Sequence, residues 1–434
     1  MIRNIIGTLG TRIIHVLLSL VIIMVNTNTF GSAGVGIIGL FVLNITILQL
    51  ISSFVGGPSL VYMLPRCDKF QLMFLSYLFV ILSIGAGSFV IYLLGFVSAE
   101  YVWHLYLSSF FLALFSVNSL YLLSQENIRL YNIFILFQIV IQLLILVILL
   151  FICGITDVSA YMYSYGISYI LSFIGSLYCV LKEVKYSGFD KMFYLFGKMF
   201  RYGFLIQIAN FSQLLNYRMS YYVIKFIVGA KPLGLFDLGT KLSEAIWILP
   251  RSIATVQYTR LANCGNDKVY AKKITLAFLK MTFVFAVIAI IILFFIPAQW
   301  LGWIFGDEFI DSKKIIYALG IGIIVLSCNM ILAHYFSGFG NYKINTIAST
   351  IGLLVTGGLC LPLIFWFDSF SSLDLIFIMG LITSFSYCSS FIYTMICFVR
   401  DTNLKFKELW INQQDILLVK SELKKQIENY RKNK

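Results

Sequence analysis

Stretches of about twenty apolar residues, recurring from one end of the chain to the other, leave it little freedom in what it folds into. A helix of that length crosses the roughly 30 Å hydrocarbon layer at about 1.5 Å per residue, whereas a membrane strand needs only about ten residues of alternating polarity. The chain therefore reads as an all-α integral membrane protein. Twelve candidate spans are centred near residues 16, 48, 82, 112, 142, 170, 214, 247, 285, 325, 354 and 385. Composition agrees, since 60% of the 434 residues are hydrophobic and 12% are charged, values that exclude a soluble domain or a disordered chain.

The connections between spans alternate in charge. Arg66 and Lys69, Arg129, the segment Lys182 to Arg201, Arg260 to Lys273, Lys343 and the tail from Arg400 all fall on one side, while Lys231, Lys313 and Lys314 fall on the other. Basic loops stay in the cytoplasm, so both termini are expected there. Trp103, Trp300, Trp303 and Trp366 lie near the opposite boundary, where an aromatic belt belongs. The first span also resembles a signal peptide, with Arg3 and Arg12 ahead of the apolar run Ile13 to Val25. A polar line through Thr8, Arg12, Ser19 and Asn26 argues for its retention, because a disposable segment needs no such line. The expected organisation is an N-terminal six-helix lobe over 1–181, a cytoplasmic linker over 182–198, a C-terminal six-helix lobe over 199–399, and a cytoplasmic amphipathic tail over 400–434 that packs on the bundle or lies on anionic lipid.

Most of the membrane-depth charge sits in one hairpin, from about Met199 to Arg260. At 100° per residue, Asp237, Lys241, Glu244 and Arg251 fall at about 0°, 40°, 340° and 320°, on one helix face. Arg218 and Lys225 share a face of the preceding arm, with Gln207 on the same line. Ionised groups at this depth cost several kcal/mol each and normally face a bundle interior or a wet cavity. Five bases (Arg12, Arg218, Lys225, Lys241, Arg251) stand against two acids, Asp237 and Glu244. If both acids pair with Lys241 along their own helix and Arg12 snorkels to the surface, then Arg218, Lys225 and Arg251 still lack a carboxylate. Such a surplus points to an anionic ligand, and the arginine fork matches phosphate.

Other motifs carry less chemistry. Gly34-Val35-Gly36-Ile37-Ile38-Gly39 matches the dinucleotide fingerprint by letter, but no strand precedes it and the next acid is Asp68. Small residues at that spacing instead let helices approach closely. The eight cysteines have neither paired nor metal-ligand spacing and read as apolar fillers. His15, His104 and His334 lie on separate spans, so no metal or other cofactor is expected. Gln138 with Gln142, Gln49, Asn118, Asn329 and Asn345 suit hydrogen bonds between helices or to sugar hydroxyls. Pro58, beside Gly56-Gly57, and Pro250 mark either hinges or static bends.

Three runs, Leu215-Asn216-Tyr217-Arg218, Gly234-Leu235-Phe236-Asp237-Leu238 and Leu242-Ser243-Glu244-Ala245-Ile246-Trp247-Ile248-Leu249-Pro250-Arg251, resemble the seventh and eighth spans of polysaccharide transporters. These are the O-antigen and capsule-unit flippases of the multidrug/oligosaccharidyl-lipid/polysaccharide exporter superfamily. The turn Gly338-Phe339-Gly340-Asn341-Tyr342-Lys343 and an arginine in the first span add diffuse similarity. The resemblance implies two six-helix lobes around a central cationic cavity. It implies that a polyprenyl-pyrophosphate-linked oligosaccharide moves from the cytoplasmic to the periplasmic leaflet by alternating access, with Arg12, Arg218 and Arg251 in the cavity and Lys225 and Lys241 as companions. Asp237 and Glu244 would hold those bases in place or carry a coupling proton. Membrane lipids and other polysaccharide-assembly membrane proteins are the implied partners, with no nucleic acid among them. With the cytoplasm negative, outward movement of each negative charge gains about 2.3 kcal/mol per 100 mV, so membrane potential or an ion gradient is an expected drive.

Two rivals remain. A multidrug exporter of the same superfamily would share the fold but, for cationic drugs, needs a cavity where acids dominate. An O-antigen polymerase or ligase would need a large external catalytic loop, and the loops here are short. The chain is therefore expected not to be an enzyme.

Overall fold

In the computed structural model, residues 2–125, 127–263, 267–366 and 370–409 are described, and they form helices joined by short turns. Cys264, the tail beyond Leu409 and the side chains of Thr8 and Trp366 lie outside the described residues. Two compact units divide the chain, Met1–Phe211 and Ser212–Lys434. Among the described residues, nine helices are long and apolar enough to cross a membrane by length and composition. The chain is a multi-pass membrane protein. Large apolar side chains confirm this solvent, with Phe295 82% exposed, Leu93 65% and Leu82 63%. Water would penalise so much bare hydrocarbon, whereas lipid does not.

The first unit begins with α1 (Ile2–Gly56), α2 (Pro58–Met63) and α3 (Lys69–Leu93), and continues with α4 (Val102–Ser124), α5 (Ile128–Phe151), α6 (Ser159–Glu183) and the first part of α7 (Met192–Val228). At about 1.5 Å per residue α1 is more than twice the hydrocarbon thickness. It is broken at Gly31, whose φ of 62° and ψ of −172° suit a residue without Cβ. It ends at Gly57, because Pro58 clashes with a helical residue before it yet fits the first helical position. The Gly34 motif lies within this helix, facing Val158, which agrees with close approach rather than nucleotide binding. The Asp68 carboxylate caps α3 by accepting from the Gln71 N–H at 2.9 Å. Leu48, Val55, Leu60, Leu72 and Leu105 lie in the core.

Amides tie this core together across helices. Tyr77 donates to Asn118 Oδ1, and Asn118 donates to Ser176 Oγ at 2.9 Å, joining α3, α4 and α6. Gln138 of α5 donates to Ser168 of α6 at 3.0 Å as well as to Gln142 at 3.2 Å. Of the two roles open to these amides, the interhelical one is occupied.

The second unit holds the rest of α7, then α8 (Ala230–Glu244), a 3₁₀ turn at Ala245–Trp247, α9 (Ile248–Asn263), α10 (Lys268–Phe295), α11 (Ala298–Phe305), α12 (Ser312–Gly338), α13 (Tyr342–Trp366) and α14 (Ser372–Thr402). Neither α7 nor the α8–α9 pair, which carry most of the membrane-depth charge, is among the nine apolar helices. Between α12 and α13, Gly340 at φ 74° lets the Asn341 N–H reach back to Phe336 O at 2.9 Å, closing α12. The core gathers Ala254, Ile274, Ile331, Leu332, Tyr335 and Phe398.

Lys313 differs from its sequence reading as an external loop residue. It sits in the first turn of α12, 6% exposed, and its ammonium donates to the carbonyls of Leu293, Phe294 and Ile296 at 2.7, 3.0 and 2.6 Å. Those carbonyls end α10 without helical partners, so a cation from the neighbouring helix satisfies them and meets the negative end of the helix dipole.

Candidate functional site

The charged residues of the second unit are drawn together where α7 packs against α8. Arg218 on α7 and Glu244 at the end of α8 form a two-pronged pair, Nη1 to Oε1 at 2.7 Å and Nη2 to Oε2 at 2.5 Å. This corrects the expectation that Glu244 pairs along its own helix and leaves Arg218 without a carboxylate. The guanidinium fork matches a carboxylate edge on, and a partner on the neighbouring helix presents that edge. The Arg218 guanidinium also lies 5.2 Å from the centre of the Tyr221 ring. Tyr221 in turn donates its hydroxyl to Asp237 Oδ1 at 3.0 Å.

Asp237, 1% exposed, completes the chain of contacts with an ion pair to Lys241 at 2.7 Å, one helical turn along α8. That pairing is the one the sequence spacing indicates. Glu244, Arg218, Tyr221, Asp237 and Lys241 thus form a connected strip in which each acid is matched by a base. Neighbouring polar groups brace it: Asn216 sits against Ser386 and Ser390 of α14, and Ser220 lies 2.8 Å from Thr383.

Arg251 is held differently. The sequence reading put it on the same helix face as Asp237, Lys241 and Glu244, and a tighter 3₁₀ turn at Ala245–Trp247 joins α8 to α9. At about 120° per residue that turn carries Arg251 from about 320° to about 20°, still on the face of Asp237 and Lys241, and Arg251 stands in the first turn of α9 as an exposed residue. Its guanidinium lies 5.5 Å from the centre of the Trp247 ring. Trp247 belongs to an aromatic triad with Tyr217 and Tyr387, whose centroids are 5.5 to 6.1 Å apart. Among the described residues Arg251 has no carboxylate within 4 Å, and neither has half-buried Lys225 further along α7.

Arg12 lies in the first unit, exposed on α1, and also lacks a carboxylate among the described residues. Gln207 is buried in the first unit and accepts from Asn210 at 2.8 Å, so the line it shares with Arg218 and Lys225 runs across the unit division. The structure therefore joins Arg218, Asp237, Lys241 and Glu244 and sets Arg251 on an aromatic support beside them, while Lys225 stands two turns further along α7 and Arg12 belongs to the first unit.

Sequence reasoning missed the aromatic members. Tyr221 stands three residues after Arg218 and Trp247 four before Arg251, spacings that put ring and guanidinium on one side of a turn. Tyr387 comes from α14, and no local pattern announces it.

No family model matches the chain. A protein of Shigella flexneri named for O-antigen transport is 22% identical over 179 residues, 41% of this chain. The match spans 43% of that relative's own length. Among solved structures, the lipid II flippase MurJ in an inward closed conformation superposes with a TM-score of 0.72 at 16% identity, covering 94% of this chain and 89% of its own. An inward-facing multidrug resistance MATE transporter of the MOP superfamily gives 0.69 at 12% identity, covering 91% and 98%. The chain is an all-α membrane protein with the fold that MurJ and the MATE transporters of the MOP superfamily share.

Proposed function

We propose that the chain is a flippase, carrying polyprenyl-pyrophosphate-linked oligosaccharide, an O-antigen or capsule repeat unit, from the cytoplasmic to the periplasmic leaflet of a bacterial inner membrane by alternating access. In this reading α1 crosses twice, and α7 and the α8–α9 pair cross once each, giving twelve passes in two six-helix lobes. One observation carries the reading: once Glu244 is taken by Arg218 and Asp237 by Lys241, the second-unit bases Arg251 and Lys225 remain without a carboxylate among the described residues, as does Arg12 in the first unit. A pyrophosphate head supplies the missing negative charge, and a transporter for cations would not keep such a surplus. Arg251 is the principal pyrophosphate ligand, because its guanidinium is exposed and held by a ring rather than an acid. Arg218 and Lys241 set the field around it through their pairs, and Glu244 and Asp237 balance them or pass a coupling proton. The likeness to the Shigella protein and to MurJ supports a lipid-linked cargo.

The MATE likeness favours a second reading, export of drugs on the same fold. Leaflet-resolved labelling of the lipid-linked oligosaccharide in cells lacking this protein separates the two. A flippase leaves the sugars shielded from an external membrane-impermeant glycosidase. If they are digested as in wild-type cells, the flippase reading fails. In proteoliposomes, an imposed negative-inside potential should speed outward flipping, and indifference to potential and to any ion gradient would remove the coupling.

A further inference from the structure

We propose that the first unit carries a site for the anionic headgroup of a membrane phospholipid, built by Arg66, Lys198 and Arg201 around the stacked rings of Tyr62 and Tyr202, for a lipid that stays with the protein and is not its cargo.

The site starts where Pro58 interrupts the first long helix. The short helix α2 and the turn after it set Tyr62 and Arg66 four residues apart, so the Arg66 side chain folds back over its neighbour. Its Nη1 donates to the Tyr62 carbonyl at 2.6 Å, and its guanidinium lies 4.1 Å from the centre of the Tyr62 ring. That ring stacks on Tyr202 of α7, with centroids 5.2 Å and planes 11° apart. Along α7, Tyr194, Lys198 and Tyr202 stand at i, i+4 and i+8 and form one row. The Lys198 ammonium lies 6.0 Å from the Tyr194 ring, and Arg201 adjoins Tyr202. The opposite side of α7 is fixed, since Leu195 and Met199 are buried and Gly203 lies against the Phe54 carbonyl of α1, where a Cβ would collide.

The three bases are exposed, and among the described residues none has a carboxylate within 4 Å. Asp68, two residues from Arg66, is turned instead to the Gln71 N–H and the Ser187 hydroxyl. Bases in the second unit are treated otherwise: Lys268 meets Asp401 at 2.7 Å and Lys272 meets Glu408 at 2.5 Å. A ring holds a cation in place without neutralising it, so Arg66 and Lys198 are positioned with their charge unspent.

Depth and the neighbouring rings decide what the charge is for. The 37 residues of α7 span about 55 Å, about 25 Å more than the hydrocarbon layer, so its first three turns, with Lys198 and Arg201, fall at the level of the headgroups. Phe193, 94% exposed, and Tyr194 stand on the same outer side of α7, and aromatic rings are favoured at that level. A soluble anion would satisfy the bases and leave Phe193 bare; a lipid without net charge would cover the ring and leave three cations unmatched. An anionic phospholipid does both, its phosphate oxygens accepting from the guanidinium and ammonium groups while its glycerol and upper chains lie on the rings.

The test uses the full chain in mild detergent, with phosphatidylglycerol and phosphatidylcholine as probes that differ in net charge. Wild-type protein should bind phosphatidylglycerol more tightly. Each base neutralised should cost about fivefold in that affinity, so Arg66→Gln/Lys198→Gln/Arg201→Gln should bind the two lipids about equally, and Arg201→Gln alone should show a single such step. Thermal unfolding of both variants in phosphatidylcholine nanodiscs should match wild type, because no ion pair is lost. Lys182→Gln/Lys185→Gln/Lys191→Gln, which removes the same charge from the adjoining linker, should keep the preference. An equal loss in the two triple variants would mean diffuse attraction and overturn the site, as would equal binding of the two lipids by wild-type protein. Soluble glycerol phosphate competing as strongly as phosphatidylglycerol would make this a site for free phosphate and overturn the lipid. Each of these outcomes leaves the flippase reading as it stands.

Discussion

The two compact units solve the same problem, holding polar side chains inside a membrane, by different chemistry. The first uses neutral groups: Asn118 and Gln138 bond serines on α6, and most of its buried polar residues are amides and hydroxyls. The second uses ions, with Arg218 on Glu244 and Lys241 on Asp237. Neutral bonds in a membrane are worth about 0.6 to 2 kcal/mol and carry no field. Ion pairs cost desolvation, bring steep penalties when one partner is lost, and leave a local potential. The difference teaches where function concentrates: hydroxyls and amides suffice to hold helices together, and a unit that keeps charges at this depth has a use for their field.

Glu244→Gln should be the sharpest test of that contrast. It strands the Arg218 guanidinium in a largely buried setting, so thermal unfolding should report a loss of about 3 kcal/mol or more, with transport reduced. The exchange Arg218→Glu with Glu244→Arg should recover much of the stability without restoring transport. A single variant as stable as wild type would show that the ionic strip is not structural. Arg251→Glu should separate field from scaffold. Losing its contact with Trp247 costs about 1 kcal/mol at most, yet flipping of the sugar-bearing lipid should be abolished, and retained flipping would remove Arg251 as the pyrophosphate ligand.

Asn118→Leu probes the neutral unit. It should cost about 1 kcal/mol and leave transport near wild type, and a loss of transport as deep as that of Arg251→Glu would erase the contrast between the units. The smallest effect lies outside the spans, where Lys272 meets Glu408 at 2.5 Å just after α14. The hydrogen bond from Lys272 holds the Glu408 carboxyl below its ordinary value. A depressed acid stabilises above its unfolded pKa, and that contribution is lost as pH falls through the folded one. Amide exchange over residues 403–409 should therefore rise under acid conditions, and Lys272→Ala should remove that acid step.

Much of this could be read in the sequence because the bilayer imposes it. Span length follows from hydrocarbon thickness, so the apolar runs announced α3, α4, α5 and α10. Pro58 and Gly57 marked a real helix break, and Asp237 with Lys241 showed as a pair because their spacing is that of one helical turn. Such features depend on residues close in sequence, where helical geometry does the placing.

What only tertiary structure decided was partnership across helices. Glu244 lies three residues from Lys241 and twenty-six from Arg218, and local spacing favoured the wrong base; the packing of α7 on α8 presents the guanidinium edge on and wins through two hydrogen bonds. Lys313 read as a loop charge, yet the end of α10 brings three carbonyls to it. Sequence fixes which groups must find partners inside a membrane, because unpaired they are too costly; which partner each finds depends on helix contacts that no local period encodes.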